Sequence, residues 1–275
     1  MRFSREEIIE KLNKKRQAGN PVIAASLGTG LLAKVADAAG VDLIILSSRG
    51  QYRANGVAAC GAELAYVNSN DATWEAGINI IDKVKHTPVI GGVGVADPYR
   101  DMNQFVDELL TYGFSGVVNE PSTAGWEGHF TSDTAYNALG FPEEVKFMAA
   151  CRQRNIFTMG ICSSARQAQA MTGAGADVVC IDLGTTIGGM QPMSAVETKE
   201  QAIKRVGRIF NEIKKENMSC TVLFHGGPFP EPEDIRWVLE NTGVHGVLAG
   251  SAIERIPVER AVTDCISRIR NSKGN

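Results

Sequence analysis

The sequence predicts a (β/α)8 barrel, and three observations carry that expectation. Eight short runs rich in Val, Ile and Leu recur along the chain, each continuous rather than alternating, as parallel strands covered on both faces require. Amphipathic stretches long enough to be crossover helices separate them. The spacing is even from end to end with no linker, which favours a closed ring of units over an open doubly wound sheet. At 275 residues the whole chain, residues 1–275, is expected to form one α/β domain.

Taken in order, residues 1–19 form a charged amphipathic segment. It predicts a leading helix that caps the barrel bottom or reaches a neighbouring subunit. The strands follow at 21–26, 42–47, 88–92, 116–120, 156–162, 177–183, 220–225 and 244–249, and clear helical stretches lie at 102–112, 142–154 and 197–216. Glycine closes helices in a recurring way: Ala39-Gly40-Val41-Asp42 enters the second strand, and Ala174-Gly175-Ala176-Asp177 enters the sixth. Gly suits the left-handed position after a helix, and these two junctions lie four units apart, which suggests an internal half-barrel repeat. Two connections, 48–73 and 121–141, are longer than the rest. Both follow strand C-termini, where long loops shape substrate sites or subunit contacts.

Composition narrows the function classes. A formal net charge of -3 and the absence of a long Lys/Arg run give no electrostatic reason to expect nucleic acid as a partner, although local sites for small anions remain open. No apolar signal region opens the chain and no uninterrupted span could cross a bilayer, so a cytoplasmic location without membrane contact is expected. Cys60, Cys151, Cys162, Cys180, Cys220 and Cys265 lack disulfide or metal spacing, and those in strand-like runs read as buried reduced thiols.

Catalytic groups of such barrels sit at strand C-terminal ends, so each exit is a candidate. The first, Ser26-Leu27-Gly28-Thr29-Gly30, brings backbone N–H groups to an anion or is a plain tight turn. In the second, Ser47-Ser48-Arg49-Gly50-Gln51-Tyr52-Arg53, the two arginines clamp a carboxylate or phosphate, or decorate a solvated loop. The third runs from Gly91 and Gly92 to Asp97, where glycine allows a close backbone approach and Asp97 serves as metal ligand, general base or helix cap.

The fourth exit places Asn119 and Glu120 beside Pro121. A carboxylate ending a buried strand is costly unless it has a partner or a task, which makes Glu120 a candidate acid/base or metal ligand. Asp182 has the same placement and either joins Glu120 around a divalent cation or serves a structural hydrogen bond. The seventh exit offers His225, which either transfers protons or binds metal in the barrel mouth, or is a packed, hydrogen-bonded histidine. Gly226 and Gly227, with Gly250 and Ser251 from the eighth exit, occupy the phosphate position common in barrels, and Ser251 is also placed to cap the last helix. His86 and His245 read as structural; His129, in the second long connection, reads as part of a lid or a subunit contact.

Four stretches, Gly94-Val95-Ala96-Asp97-Pro98-Tyr99-Arg100-Asp101-Met102, Gly113-Phe114-Ser115-Gly116-Val117-Val118-Asn119, Gly173-Ala174-Gly175-Ala176-Asp177 and His225-Gly226-Gly227-Pro228, together resemble the phosphoenolpyruvate hydrolase-like TIM-barrel family. The closing stretch from Thr242-Gly243-Val244-His245-Gly246 through Gly250-Ser251, Glu254-Arg255 and Pro257-Val258-Glu259 is similar to the C-terminal barrel of plant tobamovirus-resistance proteins. The resemblance covers nearly the whole chain. It implies a barrel grouped with phosphoenolpyruvate/pyruvate enzymes, a hydrolase or lyase that binds a small carboxylate or phosphonate with a divalent metal such as Mg; no organic cofactor is indicated. The paired acidic Mg-binding pattern typical of phosphoenolpyruvate mutases and isocitrate lyases does not stand out in this sequence.

Two function classes follow. The first is an enzyme acting on C–C, C–P or P–O bonds of a small oxo-acid, with Glu120 and Asp182 holding metal or moving protons, His225 as acid/base, Arg49 and Asp97 positioning substrate, and the last two exits holding the anion. The alternative is a non-catalytic small-anion-sensing or protein-interaction barrel, for which a separate protein resembling the N-terminal domain of the plant proteins would be the partner. A homo-oligomer is expected from the two long top connections and the leading helix.

Overall fold

The computed structural model describes residues 2–190 and 197–272. Eight parallel strands close into a barrel in sequential order. They are β1 (Val22–Ser26), β2 (Leu43–Leu46), β3 (Val89–Gly92), β4 (Gly116–Val118), β5 (Phe157–Cys162), β6 (Val178–Asp182), β7 (Thr221–His225) and β8 (Gly246–Ala249). Each lies within one of the eight runs expected from the sequence. In chain order the α-helices are α1 (Arg5–Gln17), α2 (Gly30–Ala39), α3 (Ser48–Ala54), α4 (Ser69–Ile80), α5 (Met102–Tyr112), α6 (His129–Tyr136), α7 (Phe141–Gln153), α8 (Ala165–Gly173), α9 (Lys199–Glu216), α10 (Pro232–Thr242) and α11 (Arg255–Asn271). The two long connections have structure of their own: the first carries α3, a 3-10 turn at Ala59–Glu63 and the start of α4, the second a 3-10 turn at Thr123–Gly125 and α6.

Alternation along each strand divides the core in two. Side chains such as Leu46, Val117, Val179, Val222 and Phe224 face outward and pack under the helices. Their neighbours Leu43, Ile45, Ile90, Val118, Val178, Cys180, Leu223 and Leu248 fill the barrel interior. The leading helix closes the bottom of that interior. A capping box starts α1, with Ser4 Oγ accepting from Glu7 N at 3.2 Å and Glu7 Oε2 accepting from Ser4 N at 2.7 Å. Ile8 and Leu12 then bury against the interior strand residues, each contributing roughly 1.5–3 kcal/mol of apolar burial.

Two ion pairs tie α1 across the barrel, Arg5 Nη2 to Asp177 Oδ1 at 2.6 Å and Lys15 Nζ to Asp42 Oδ1 at 3.3 Å. Asp42 and Asp177 also carry the repeat suggested by the sequence. Each follows a left-handed glycine, Gly40 at φ 82° and Gly175 at φ 83°. Each carboxylate then accepts from the backbone N–H of the residue nineteen positions earlier: Asp42 from Ile23 at 2.9 Å, Asp177 from Thr158 at 3.1 Å. The same device thus joins β1 to β2 and β5 to β6, half a barrel apart.

Of the six cysteines, Cys151, Cys162, Cys180 and Cys220 are buried and Cys60 and Cys265 exposed, all as free thiols. Burial pushes the Cys220 thiol up to about 11 and the Cys151 thiol up to about 12, so both stay protonated near neutral pH.

Candidate active site

Strand parity decides what faces the mouth. Leu43 and Ile45 point inward, hence so does Ser47 at the β2 exit; by the same count Ser26, Gly92, Glu120, Asp182 and His225 form the uppermost inner layer. Asp182 and His225 are directly paired across β6 and β7. A Cβ at Gly92 would lie 2.6 Å from Ser47 Cβ and 2.7 Å from the Glu120 carbonyl oxygen, so only glycine lets the β2, β3 and β4 exits meet this closely.

Arg49, in the first turn of α3, supplies the positive charge of this layer. Its Nε donates to Glu63 Oε1 at 2.8 Å, its Nη2 donates to the same oxygen, and its Nε lies 3.7 Å from Glu120 Oε1. Burial alone would weaken its protonation, but the charges of Glu63, Asp182 and Glu120 outweigh burial and hold the guanidinium more firmly protonated than usual. Glu63 responds in the opposite sense. Burial raises its carboxyl pKa, Glu120 and Asp182 add to the rise as like charges, and Arg49 only partly offsets it.

One carboxylate, Glu63, therefore bonds this guanidinium, a second, Glu120, lies within ion-pair distance of it, and the charge of a third, Asp182, acts on it from farther off. Around them, Ser47 Oγ, Ser48 Oγ, Glu63 Oε2 and Glu120 Oε2 are buried with no hydrogen-bond partner from the protein. Such atoms cost about 1–3 kcal/mol each unless something bonds to them, which makes this part of the mouth the candidate ligand site. The donors are hard oxygens, of the kind suited to Mg²⁺. Among the described residues no three His, Cys, Asp or Glu side chains converge as ligands. The set therefore fits a cation that takes one or two carboxylates from the protein and its remaining ligands from water and substrate, as Mg²⁺ does.

His225 is only 8% exposed, and its Nδ1 lies 2.7 Å from the Leu248 carbonyl oxygen. A carbonyl only accepts, so Nδ1 is the donor of this bond and, in the neutral imidazole, Nε2 would carry the lone pair. One oxygen of Asp182 accepts from Gly184 N at 2.9 Å, which commits it to the turn that follows β6.

Other expected contacts take a different form. The anion contacts expected of Ser26 and Gly28 at the first exit, and of Gly250 at the eighth, are taken up by an ion pair of the protein itself. Glu254 Oε1 accepts from Gly28 N at 2.6 Å and Glu254 Oε2 from Arg53 Nε at 2.8 Å, while Arg53 Nη2 donates to the Ser26 carbonyl and hydroxyl oxygens at 2.6 and 2.8 Å. Gly250 leaves room for this guanidinium, since a Cβ there would lie 3.1 Å from Arg53 Nη1. Gly226 and Gly227, at φ 73° and 68°, serve backbone contact rather than an open cradle. A Cβ on Gly226 would stand 1.7 Å from the Gly184 carbonyl oxygen, which Gly227 N reaches at 3.2 Å.

Ser251 does not cap the last helix with its side chain. It accepts through its carbonyl from Arg255 N and Ile256 N, and Glu254 holds the N-cap position of α11.

Asn119 turns away from the mouth. Its amide donates to Glu144 Oε2 at 2.5 Å and accepts from Ile161 N at 2.7 Å, stitching β4 to β5 and α7. Glu144 is a buried carboxyl that the sequence reading missed; burial raises its pKa, against donated bonds from Ser122, Thr123 and Asn119. Asp97 does not cap α5, because Asp101 does, accepting from Asn103 N and Gln104 N. Asp97 instead accepts from Asn68 Nδ2 and Asn70 Nδ2, both at 3.0 Å, and from Tyr99 N at 2.9 Å, which anchors the start of α4. Burial opposes its ionisation, but these bonds and Arg100 hold its pKa below the ordinary value.

His245, at the barrel bottom, accepts from Val222 N at 2.8 Å through Nδ1. Burial, then Arg16 and Lys214, lower its pKa to about 3, so it is a neutral structural imidazole. His86 and His129 are exposed, the latter opening α6. Beside the mouth a cleft of ≈ 530 Å³ opens between the connections that follow β2, β3 and β4, bordered by Glu63, Asp97, Pro121, Trp126, Leu139 and Glu144.

Comparisons with known proteins agree with this architecture. The "ToMV resistance protein Tm-1(GCR237)" of Solanum lycopersicum is 32% identical over 97% of this chain, which covers 36% of that protein. The "Putative transcriptional regulatory protein y4pA" of Sinorhizobium fredii is 27% identical over 98% of this chain and is covered for 44% of its length. The chain thus spans less than half of either relative. Among solved structures, a phosphonopyruvate hydrolase complexed with oxalate and Mg²⁺ superposes with a TM-score of 0.60 at 18% identity, covering 97% of this chain and 88% of that one, a likeness of fold. A family model described as phosphoenolpyruvate hydrolase-like matches residues 7–271, from the helix that plugs the barrel bottom to the end of α11, and the chain belongs to that family.

Proposed function

We propose that the chain is a lyase- or hydrolase-type enzyme that binds a small 2-oxo acid or phosphonate by its carboxylate on Arg49 and reacts it in the mouth between Glu120, Asp182 and His225. The observation that carries this reading is the buried Arg49 guanidinium, paired with Glu63 and Glu120 under the further charge of Asp182, in a layer that holds four unpartnered oxygens. An incoming carboxylate matches the fork of Arg49 and exchanges with Glu63, whose charge the site already disfavours. Ser47 and Ser48 have hydroxyls free to donate to substrate oxygens. His225 Nε2, its tautomer set by Leu248, accepts a proton during bond cleavage and returns it to the product. Glu120 and Asp182 would hold a divalent ion such as Mg²⁺, which when bound would supply Lewis-acid stabilisation of developing oxyanion charge. The named oxalate and Mg²⁺ of the similar solved structure support that choice of ligand and ion.

The test is turnover of 2-oxo acids and phosphonopyruvate with and without Mg²⁺. Replacing His225 with Ala should lower turnover about 10²–10⁴-fold while thermal stability stays nearly unchanged. A collapse in folding with no specific loss of turnover would assign His225 to the core.

A second reading, a small-anion-sensing or protein-interaction barrel, is favoured by the relatives' names, a resistance protein and a transcriptional regulator. Stabilisation against thermal unfolding by a small oxo-acid or phosphonate, without turnover of any of them, would select it, and a separate protein resembling the plant N-terminal domain would then be the partner to seek.

We also propose a homo-oligomer. Val258, Val262, Ile266 and Ile269 form a stripe on α11 that is 40–65% exposed, and Leu31 and Val35 are exposed on α2. Each is an apolar face that a second copy would cover.

A further inference from the structure

The cleft beside the mouth shares Glu63 with the Arg49 seat, and Pro121, which follows Glu120, forms part of its wall. Leu64, Val67, Tyr99, Trp126 and Leu139 make that wall largely apolar and aromatic. Among the described residues that line it there is no Lys, Arg or His, whereas Glu63, Asp97, Glu143 and Glu144 all do. Asp97 is held ionised by the bonds it accepts from Asn68, Asn70 and Tyr99 N, and Glu143 pairs with Lys146 outside the cleft at 2.7 Å. A phosphonate or second carboxylate entering this space would shed its hydration and meet carboxylates whose cationic partners, Arg49, Arg100 and Lys146, do not line the cleft. An uncharged apolar group would instead gain by covering the exposed Leu64, Val67, Tyr99 and Leu139.

We infer that the cleft receives the uncharged apolar or aromatic substituent of a monoanionic 2-oxo acid whose carboxylate sits on Arg49, so that this site selects against substrates with a second anionic group. The inference rests on the proposed seat at Arg49. It narrows that proposal from oxo-acids and phosphonates to oxo-acids with an apolar tail.

Calorimetric titration of the full chain with pyruvate, phenylpyruvate and phosphonopyruvate, in the presence of Mg²⁺, separates the two. Phenylpyruvate should bind at least about tenfold tighter than pyruvate, as burial of a ring in an apolar pocket gives, and phosphonopyruvate no tighter than pyruvate. Leu139→Glu, on the exposed wall of the cleft, should abolish the phenylpyruvate advantage and leave pyruvate affinity unchanged. If pyruvate binds but phenylpyruvate shows no advantage, if phosphonopyruvate binds tightest, or if Leu139→Glu leaves the advantage intact, the cleft assignment is overturned while the Arg49 seat stands. If none of the three binds, the seat itself is wrong and the cleft assignment falls with it.

Discussion

Arg49 gives two hydrogen bonds to a single oxygen of Glu63, and the other oxygen of that carboxylate is buried without a partner. The pair is thus half satisfied: the guanidinium has a ligand, but that ligand sits among like charges from Glu120 and Asp182. A carboxylate that must be displaced competes with substrate. Glu63→Gln should therefore tighten oxalate binding by roughly tenfold, about 1.4 kcal/mol, and calorimetry at constant Mg²⁺ checks it. Weaker binding in the variant would mean that Glu63 helps to hold the ligand.

The Arg53–Glu254 pair predicts a different outcome, because it is fully buried and satisfied at both ends. Removing one partner leaves a charge without compensation in the wall between β1 and α11. Arg53→Met is expected to cost about 3–5 kcal/mol, and adding Glu254→Leu to that variant should recover much of the loss. Denaturant unfolding of the wild-type chain and the two variants measures both steps.

These two pairs also show what was legible in the sequence. The strands could be read because both faces of each are covered, which leaves an uninterrupted apolar run, and their parity then places Ser47, Glu120, Asp182 and His225 without further information. Partnerships made by closing the ring could not be read. Glu254 meets Gly28 across 226 residues, and nothing local to Glu254 marks it as the internal anion that fills the glycine turn. Glu63 and Glu144 were missed for a related reason: both lie outside the strands, where a glutamate ordinarily reads as solvated, and only tertiary packing buries them. Asp97 and Asp101 illustrate a finer ambiguity, since two aspartates precede α5 and only the backbone path decides which one caps it.

His245 makes stability depend on pH. Its pKa falls from 6.5 to about 3 on folding, because burial and the neighbouring Arg16 and Lys214 disfavour the imidazolium. The unfolded chain therefore binds the proton first. Stability from this group is fully present above about pH 6.5 and is lost as pH falls from there towards 3. The ring is only partly buried, so solvent screening trims the loss to about 1 kcal/mol at pH 5. Urea unfolding at pH 7 and pH 5 should show this difference for the wild-type chain, and His245→Asn should flatten it; an unchanged slope would place the acid sensitivity elsewhere.

The last helix provides the test of assembly. Beyond Ile256, α11 is exposed at every position but Glu259, and Val258, Val262, Ile266 and Ile269 recur at helical spacing on one stripe. An isolated helix of this kind gains little from propensity alone and depends on a surface that covers its apolar side. Val262→Asp with Ile266→Asp places two charges on the stripe without touching the barrel core. Sedimentation should then show the wild-type chain as an oligomer and the double variant as a monomer, with the barrel still folded by circular dichroism and oxalate affinity at Arg49 retained within about twofold, a change of roughly 0.4 kcal/mol. A wild-type chain that sediments as a monomer would remove the second copy as the cover for this stripe.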